Sequence, residues 1–416
     1  MALGAIAVMR TLAAADDVLR VTLDDALAML RRQSPELLAG TLKVQAAAGD
    51  VRTARLLPNP TVSAGVGNLP LGRTNPPGLS VGQTVTANVG VEQEIPLWGK
   101  RGARIEAAEQ RRMGAEAERA DLERQLAFEV RSRFVALLEA TERLRLAGEN
   151  LERYRETIRV SEARAREGDI SPAELDKVRL EERSFAHEVD DAALDRREAA
   201  AALLPLLGSP AADVDAVGTL TIPTAPSDVE DLVGQALARR PDVKAAERER
   251  TAAEAALRLA RREPLPNVTV GVGYTHSEFQ ISGDLANQIG TTFSVPVPVF
   301  DRNQGNIIRA EAEALTAGHE LDHVKLAVAQ EVRSAVTRYD VSRTRAQRFA
   351  DGFLRQATNA RKAAEASYRE GAVSLLEFLE AERTAIQTAR DNLDALREVN
   401  TAAYDITRAA ALEVSP

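Results

Sequence analysis

Apolar positions near the start of the chain recur at helical spacing: Leu23, Leu27 and Leu30, then Leu37 and Leu38. Pro35 between the two groups predicts a break from one helix to the next. The period then changes from helical to two. Val62, Ala64 and Val66 alternate with Thr61, Ser63 and Gly65, and Val85, Ala87, Val89 and Val91 alternate with Thr84, Thr86, Asn88, Gly90 and Glu92. This predicts a strand pair near 60–67 and 83–95, joined by the polar, turn-rich stretch 68–80. From Trp98 to Arg166 the chain is thick with Ala and charge, with scattered Leu, Val, Phe and Tyr. It predicts a helix that at 1.5 Å per residue reaches roughly 100 Å, packed on one face and wet on the other. A turn near Gly168 then sends the chain back along a second helix.

The whole programme occurs twice. LDDALAMLRRQSPEL at 23–37 is answered by DLVGQALARRPDV at 231–243, and RLLPNPTVSAGVG at 55–67 by EPLPNVTVGVGYT at 263–275. EIPLWGKRGAR at 94–104 is answered by VPVPVFDRNQGN at 295–306, and REGDISPAELDKVR at 166–179 by REGAVSLLEFLEAER at 369–383. Correspondences kept in one order make a tandem duplication. Repeat 1 covers 21–206. Repeat 2 covers 229–412, with a strand pair near 267–276 and 288–297, a helical tract from Phe300 to Glu370 and a turn near Gly371. The stretch 207–228 between them, rich in Pro, Gly and Asp, reads as a linker.

Each strand has one apolar and one small-polar face and is long enough to cross lipid at a tilt. A soluble sandwich strand also alternates, but it has no use for two such long helical hairpins. Four strands cannot close a barrel, and open edges are not tolerated in hydrocarbon, so several chains must share one barrel. Two copies give eight strands and a filled interior; three give twelve and room for a channel. The strand count therefore predicts a homotrimer embedded in membrane lipid.

Composition narrows the partners. A net charge of −9 and a pI near 5.3 disfavour a nucleic acid and suit cations. The chain has no cysteine, which removes disulfides, thiolate metal sites and an N-terminal lipidated Cys. No apolar run is long enough for a transmembrane helix. The first fifteen residues, apolar from Ala2 to Val8 and ending in small residues, read as a signal peptide without a basic start, interrupted by Arg10.

Helix, strand pair, long helix, glycine turn and helix, present twice, resemble the TolC family of outer-membrane efflux channels over essentially the whole chain. PLWGKRGARI at 96–105 and PVFDRNQGNI at 298–307 resemble its CzcC/CusC heavy-metal group. The resemblance implies an α+β membrane protein in which a trimeric transmembrane β-barrel, four strands per chain and twelve in total, continues into a long periplasmic α-helical barrel. It implies an exit duct in the Gram-negative outer membrane, working with a periplasmic adaptor and an inner-membrane resistance-nodulation-division pump. The cargo it implies is a heavy-metal cation, cobalt, zinc and cadmium or copper and silver. A duct for drugs or secreted polypeptides is the alternative, and a soluble coiled-coil scaffold the reading without transport. Some relatives carry an N-terminal lipid anchor; the missing cysteine predicts that this chain does not.

On this resemblance Pro96, Trp98 and Lys100, and again Pro298, Phe300 and Arg302, mark where a strand leaves the membrane. Proline ends the ladder, the aromatic lies at the interface and the basic residue at headgroup level. The turns Gly168–Asp169 and Gly371–Ala372 fall at the periplasmic tip, against adaptor or pump. Ser171 with Glu174, and Ser374 with Glu377, read as capping boxes. Glu380 shares a helix face with Glu377 and no cap needs it. The resemblance places Glu377 and Glu380, with Glu174, at the channel aperture, where threefold repetition makes carboxylate rings.

His319 and His323, at i and i+4 with Glu320 and Asp322 nearby, have a spacing that can hold Zn²⁺ on a helix face. No third ligand is identifiable, so they read as surface or packing residues, and no metal site is assigned. His187 and His276 stand alone. There is no GxSxG, phosphate loop or HExxH, so the sequence supports neither catalysis nor a cofactor.

Overall fold

A computed structural model describes residues 18–74, 77–278 and 285–412; the expected signal peptide lies outside them. The first repeat runs β1 (Val18–Val21), α1 (Leu23–Gln33), α2 (Pro35–Arg55), β2 (Thr61–Gly67), the short α3 (Val81–Thr84), β3 (Thr86–Ile95), α4 (Lys100–Glu167) and α5 (Pro172–Leu207). After β4 (Asp213–Ala216) the second continues with α6 (Val229–Arg239), α7 (Pro241–Arg262), β5 (Val268–Ser277), β6 (Asn287–Ser294), α8 (Gln304–Arg348), α9 (Leu354–Arg369) and α10 (Leu375–Ala409). Two compact units result. One takes the described residues of Met1–Thr41, Arg119–Pro241 and Lys325–Pro416; the other is Leu42–Glu118 and Asp242–Val324.

In the second of these units the strands form one antiparallel sheet in the order β2-β3-β5-β6. Directly opposed residues in such a sheet share a face. Val62 opposes Val91, which opposes Val272; Ala64 opposes Val89, which opposes Tyr274 and, through it, Ile289. On the other face Ser63, Gly90, Gly273 and Gly290 make one row. The register thus sorts four separate alternations into one apolar and one small-polar side. Nothing among the described residues covers the apolar side: Val62 is 69% exposed and Phe293 71%. The small side has little room, since a Cβ on Gly90 would stand 3.2 Å from Ser63 Oγ and 3.8 Å from Gly273 Cα. Such a row allows strands to curl toward that face.

The other unit is built around buried Leu30, Phe134, Leu137, Leu203, Leu207 and Val214, contributed by α1, α4, α5 and β4. Each such burial stabilises by about 1.5–3 kcal/mol before entropy is counted. Thr22 opens α1 with a capping box on Asp25. Gly208 closes α5 at φ 61°, where a Cβ would lie 2.4 Å from the Gln33 carbonyl oxygen, so no other residue fits.

Three features depart from the sequence reading. The stretch 207–228 is not simply a linker: β4 pairs in parallel with β1, a strand the sequence reading lacked, and Arg196 clamps Asp213 and Asp215 beside it. Further on, Tyr339 Oη donates to the Pro223 carbonyl at 2.7 Å and Asn400 Nδ2 to that of Thr221 at 2.8 Å. The Phe300–Glu370 tract is not one helix. It begins at Gln304 and breaks at Phe349–Phe353, where Gly352 takes φ 125°, a conformation only glycine adopts freely. Finally, Val81–Thr84 is a helical turn capped by Ser80, so β3 starts at Thr86 rather than near 83.

Candidate functional site: helix tips and strand exits

Both glycine turns are built alike. Gly168 has φ 84°, and the next amide, Asp169, donates back to the Arg164 carbonyl at 2.9 Å; Gly371 has φ 76°, with Ala372 bonded to Ser367 at 2.8 Å. Each following helix starts with a complete capping box. The Glu174 carboxylate accepts the Ser171 N–H at 2.8 Å, and Glu377 accepts the Ser374 N–H at 2.9 Å. Ser171's backbone and hydroxyl bonds hold Glu174 below the usual carboxylate value. In Glu377 the bonds from Ser374 fall on one oxygen, Oε2, leaving Oε1 free of the cap. Glu380 is exposed one turn on, and its carboxylate has no partner among the described residues.

Behind these carboxylates the hairpins are fastened together. Tyr368 stacks on Phe378 with centroids 5.1 Å apart, in a cluster with Tyr154, Val178, Phe185 and Leu375. Arg164 from α4 donates to the Tyr368 carbonyl at 2.8 Å and lies over its ring. On α10, Arg383 forks onto Glu181 at 2.8 Å and Arg390 reaches Glu188 at 2.5 Å, seven residues on in both helices. That is a heptad ladder between α5 and α10. Buried Glu382 faces half-buried Arg361, 3.5 Å away, and burial pushes its carboxyl above the usual range.

The two strand exits differ. Trp98, at φ 61°, donates its indole N–H to the Pro266 carbonyl at 2.8 Å, and Arg262 donates to that of Gly99 at 3.0 Å. Lys100 is 3% exposed and donates to the Glu263 carbonyl at 3.0 Å. It was expected at headgroup level; instead its ammonium is spent inside the chain, stapling α4 to the segment before β5. The partner lies far away in sequence, so no local signal showed this. Pro96 directly follows the last residue of β3, whereas β6 already stops at Ser294, four residues before Pro298; both prolines are half-covered. Phe300 is 92% exposed, and Arg302 is exposed beside it.

His319 and His323 lie on α8, and the structure brings no group of three or more metal-ligating side chains together among the described residues. His276 contacts Asn287 and Glu278 on the sheet.

A sheet with one lipid-compatible face, together with capped helical hairpins in the same duplicated chain, defines the class of outer-membrane channels. The chain belongs to the Outer membrane efflux protein family, which it matches over residues 26–209 and 232–412. It is an outer-membrane efflux protein. It is 28% identical over 390 residues to the cobalt-zinc-cadmium resistance protein CzcC of Cupriavidus metallidurans, covering 93% of this chain and 89% of that one. It is 27% identical to the nickel and cobalt resistance protein CnrC of the same species, over 73% of this chain and 70% of that one. Among solved structures, the transmembrane channel CusC superposes with a TM-score of 0.78 at 20% identity, covering 97% of this chain and 95% of CusC.

Proposed function

We propose that the chain forms a homotrimeric exit duct for heavy-metal cations, coupled through a periplasmic adaptor to an inner-membrane resistance-nodulation-division pump. The observation that carries this reading is the register that gathers every apolar alternation onto one exposed face of a sheet whose outer strands, β2 and β6, have no further partner among the described residues. Such a sheet is untenable alone in water or in lipid. Three copies supply twelve strands, closing the barrel with the apolar face toward lipid and the small-polar face toward the lumen. The division into two repeats, 21–206 and 229–412, gives each copy the same task, one strand pair and one helical hairpin.

In this reading Gly168–Asp169 and Gly371–Ala372 meet adaptor or pump. Glu377 and Glu380, with Glu174 beside them, form rings at the aperture, for which exposed Glu380 and the free oxygen of Glu377 are suited. Phe300 and Arg302, fully presented, suit the lipid interface, with Pro96, Pro298 and the exposed part of Trp98. The metal cargo is supported by the names of the two resistance proteins above. The test is a deletion strain scored for growth in cobalt, zinc, cadmium, nickel, copper and silver salts beside a panel of drugs. Loss of metal tolerance restored by the gene is expected; lost drug tolerance alone would assign the duct to multidrug export.

A further inference from the structure

His319 and His323 stand one turn apart on α8, a helix fixed from its other side by buried Leu321 and Val328. Both imidazoles are exposed, and neither takes a hydrogen bond or ion pair among the described residues. With Thr316 and Glu320 they line a shallow concavity of about 270 Å³ on the helix surface. An i, i+4 pair projects from one face, so two ring nitrogens can converge on a single ion about 2.0–2.1 Å from each. Neither His187 nor His276 has this arrangement.

We propose that His319 and His323 form a two-imidazole binding station for a divalent cation of the borderline class, Zn²⁺, Co²⁺, Ni²⁺ or Cu²⁺. Imidazole selects these over Mg²⁺ and Ca²⁺, which take oxygen ligands. Because no third protein ligand joins the pair among the described residues, water completes the coordination sphere. A site with two protein ligands releases its ion readily, as a station on a transit route requires and a structural site does not. The inference goes beyond the duct reading, since binding by the chain needs neither pump nor adaptor.

The experiment is equilibrium dialysis of Zn²⁺ and Co²⁺ against untagged full-length protein in detergent, beside His319→Gln, His323→Gln, the double variant and His187→Gln. Losing one ligand should cost at least what losing a supporting partner costs, so each single variant should bind at least about tenfold more weakly. The double variant should be little worse than either single one, because the ion needs both rings, and His187→Gln should bind as the original does. Bound Co²⁺ should show nitrogen ligation in its visible spectrum, lost in either single variant. Equal binding by the original protein and the double variant, or single variants that retain the original affinity, would overturn the proposal. Growth in metal salts does not enter this test, so failure of the station and failure of the duct are separately visible.

Discussion

Val89 stands directly across from Tyr274 on the sheet, joining β3 of the first repeat to β5 of the second, with Ala64 on its other side. The duplicated hairpins therefore form one surface through a pairing that neither repeat contains. Asp in place of Val89 or Val270 puts a carboxylate on the apolar face and should cost about 2 kcal/mol or less, impairing insertion. Asp in place of Thr86 or Thr269, on the opposite face, should be tolerated. The fraction of heat-modifiable protein in outer-membrane preparations checks this, and equal damage at both sets of positions would contradict the assigned faces.

In the proposed barrel the open edges of β2 and β6 pair with other copies of the chain. Native mass measurement in detergent should give three times the mass of the single mature chain measured after denaturation. Chemical cross-linking should stop at the same number. A monomer would leave the edges without partners, and a dimer would supply eight strands with no room for a channel; either would reject the twelve-stranded barrel.

Replacing both Glu377 and Glu380 by Gln separates capping from the aperture. Gln also serves at the third position of a capping box, and Glu380 caps nothing, so thermal stability should hardly change. Cation selectivity in planar bilayers should fall, and block by divalent or trivalent cations should weaken, because the two carboxylate rings proposed at Glu377 and Glu380 are neutralised. Unaltered conductance properties would leave Glu377 with its cap alone.

Glu382 tests the packed interior behind the tip. Burial raises its carboxyl, opposed by Arg361 and Arg153 and aided by Glu365. The fold therefore retains a proton at a pH where the unfolded chain has released it. Its contribution to stability falls as pH rises from the ordinary 4.5 through the raised value. Arg361→Met removes the nearest compensating charge and should cost about 3 kcal/mol near neutral pH. Part of that loss should be recovered on acidification, as Glu382 takes up its proton. Chemical denaturation at several pH values measures both effects, and a pH-independent loss would show that packing, not charge, is at issue.

What the sequence determined by itself is what local chemistry controls. Period-two alternation located all four strands of the sheet, and the helical tracts announced their own glycine turns and capping boxes, because Ser374 and Glu377 meet within one helical turn whatever surrounds them. Pro35 and Pro241 each begin a new helix, since a proline has no N–H to give to the turn before it. What only the tertiary structure decided depends on residues distant along the chain. Four residues at Val18–Val21 are too few to signal a strand and become one by pairing with Asp213–Ala216. Lys100 and Arg302 occupy the same place in two copies of one motif, yet Lys100 is buried because Glu263 lies beside it, while Arg302 remains exposed. The break at Gly352 interrupts the second long helix and has no counterpart in α4, where Glu149 holds the matching position within an unbroken helix. A duplicated sequence repeats its local instructions, but each copy packs against different neighbours, and those neighbours decide which side chains are buried and which remain free to act.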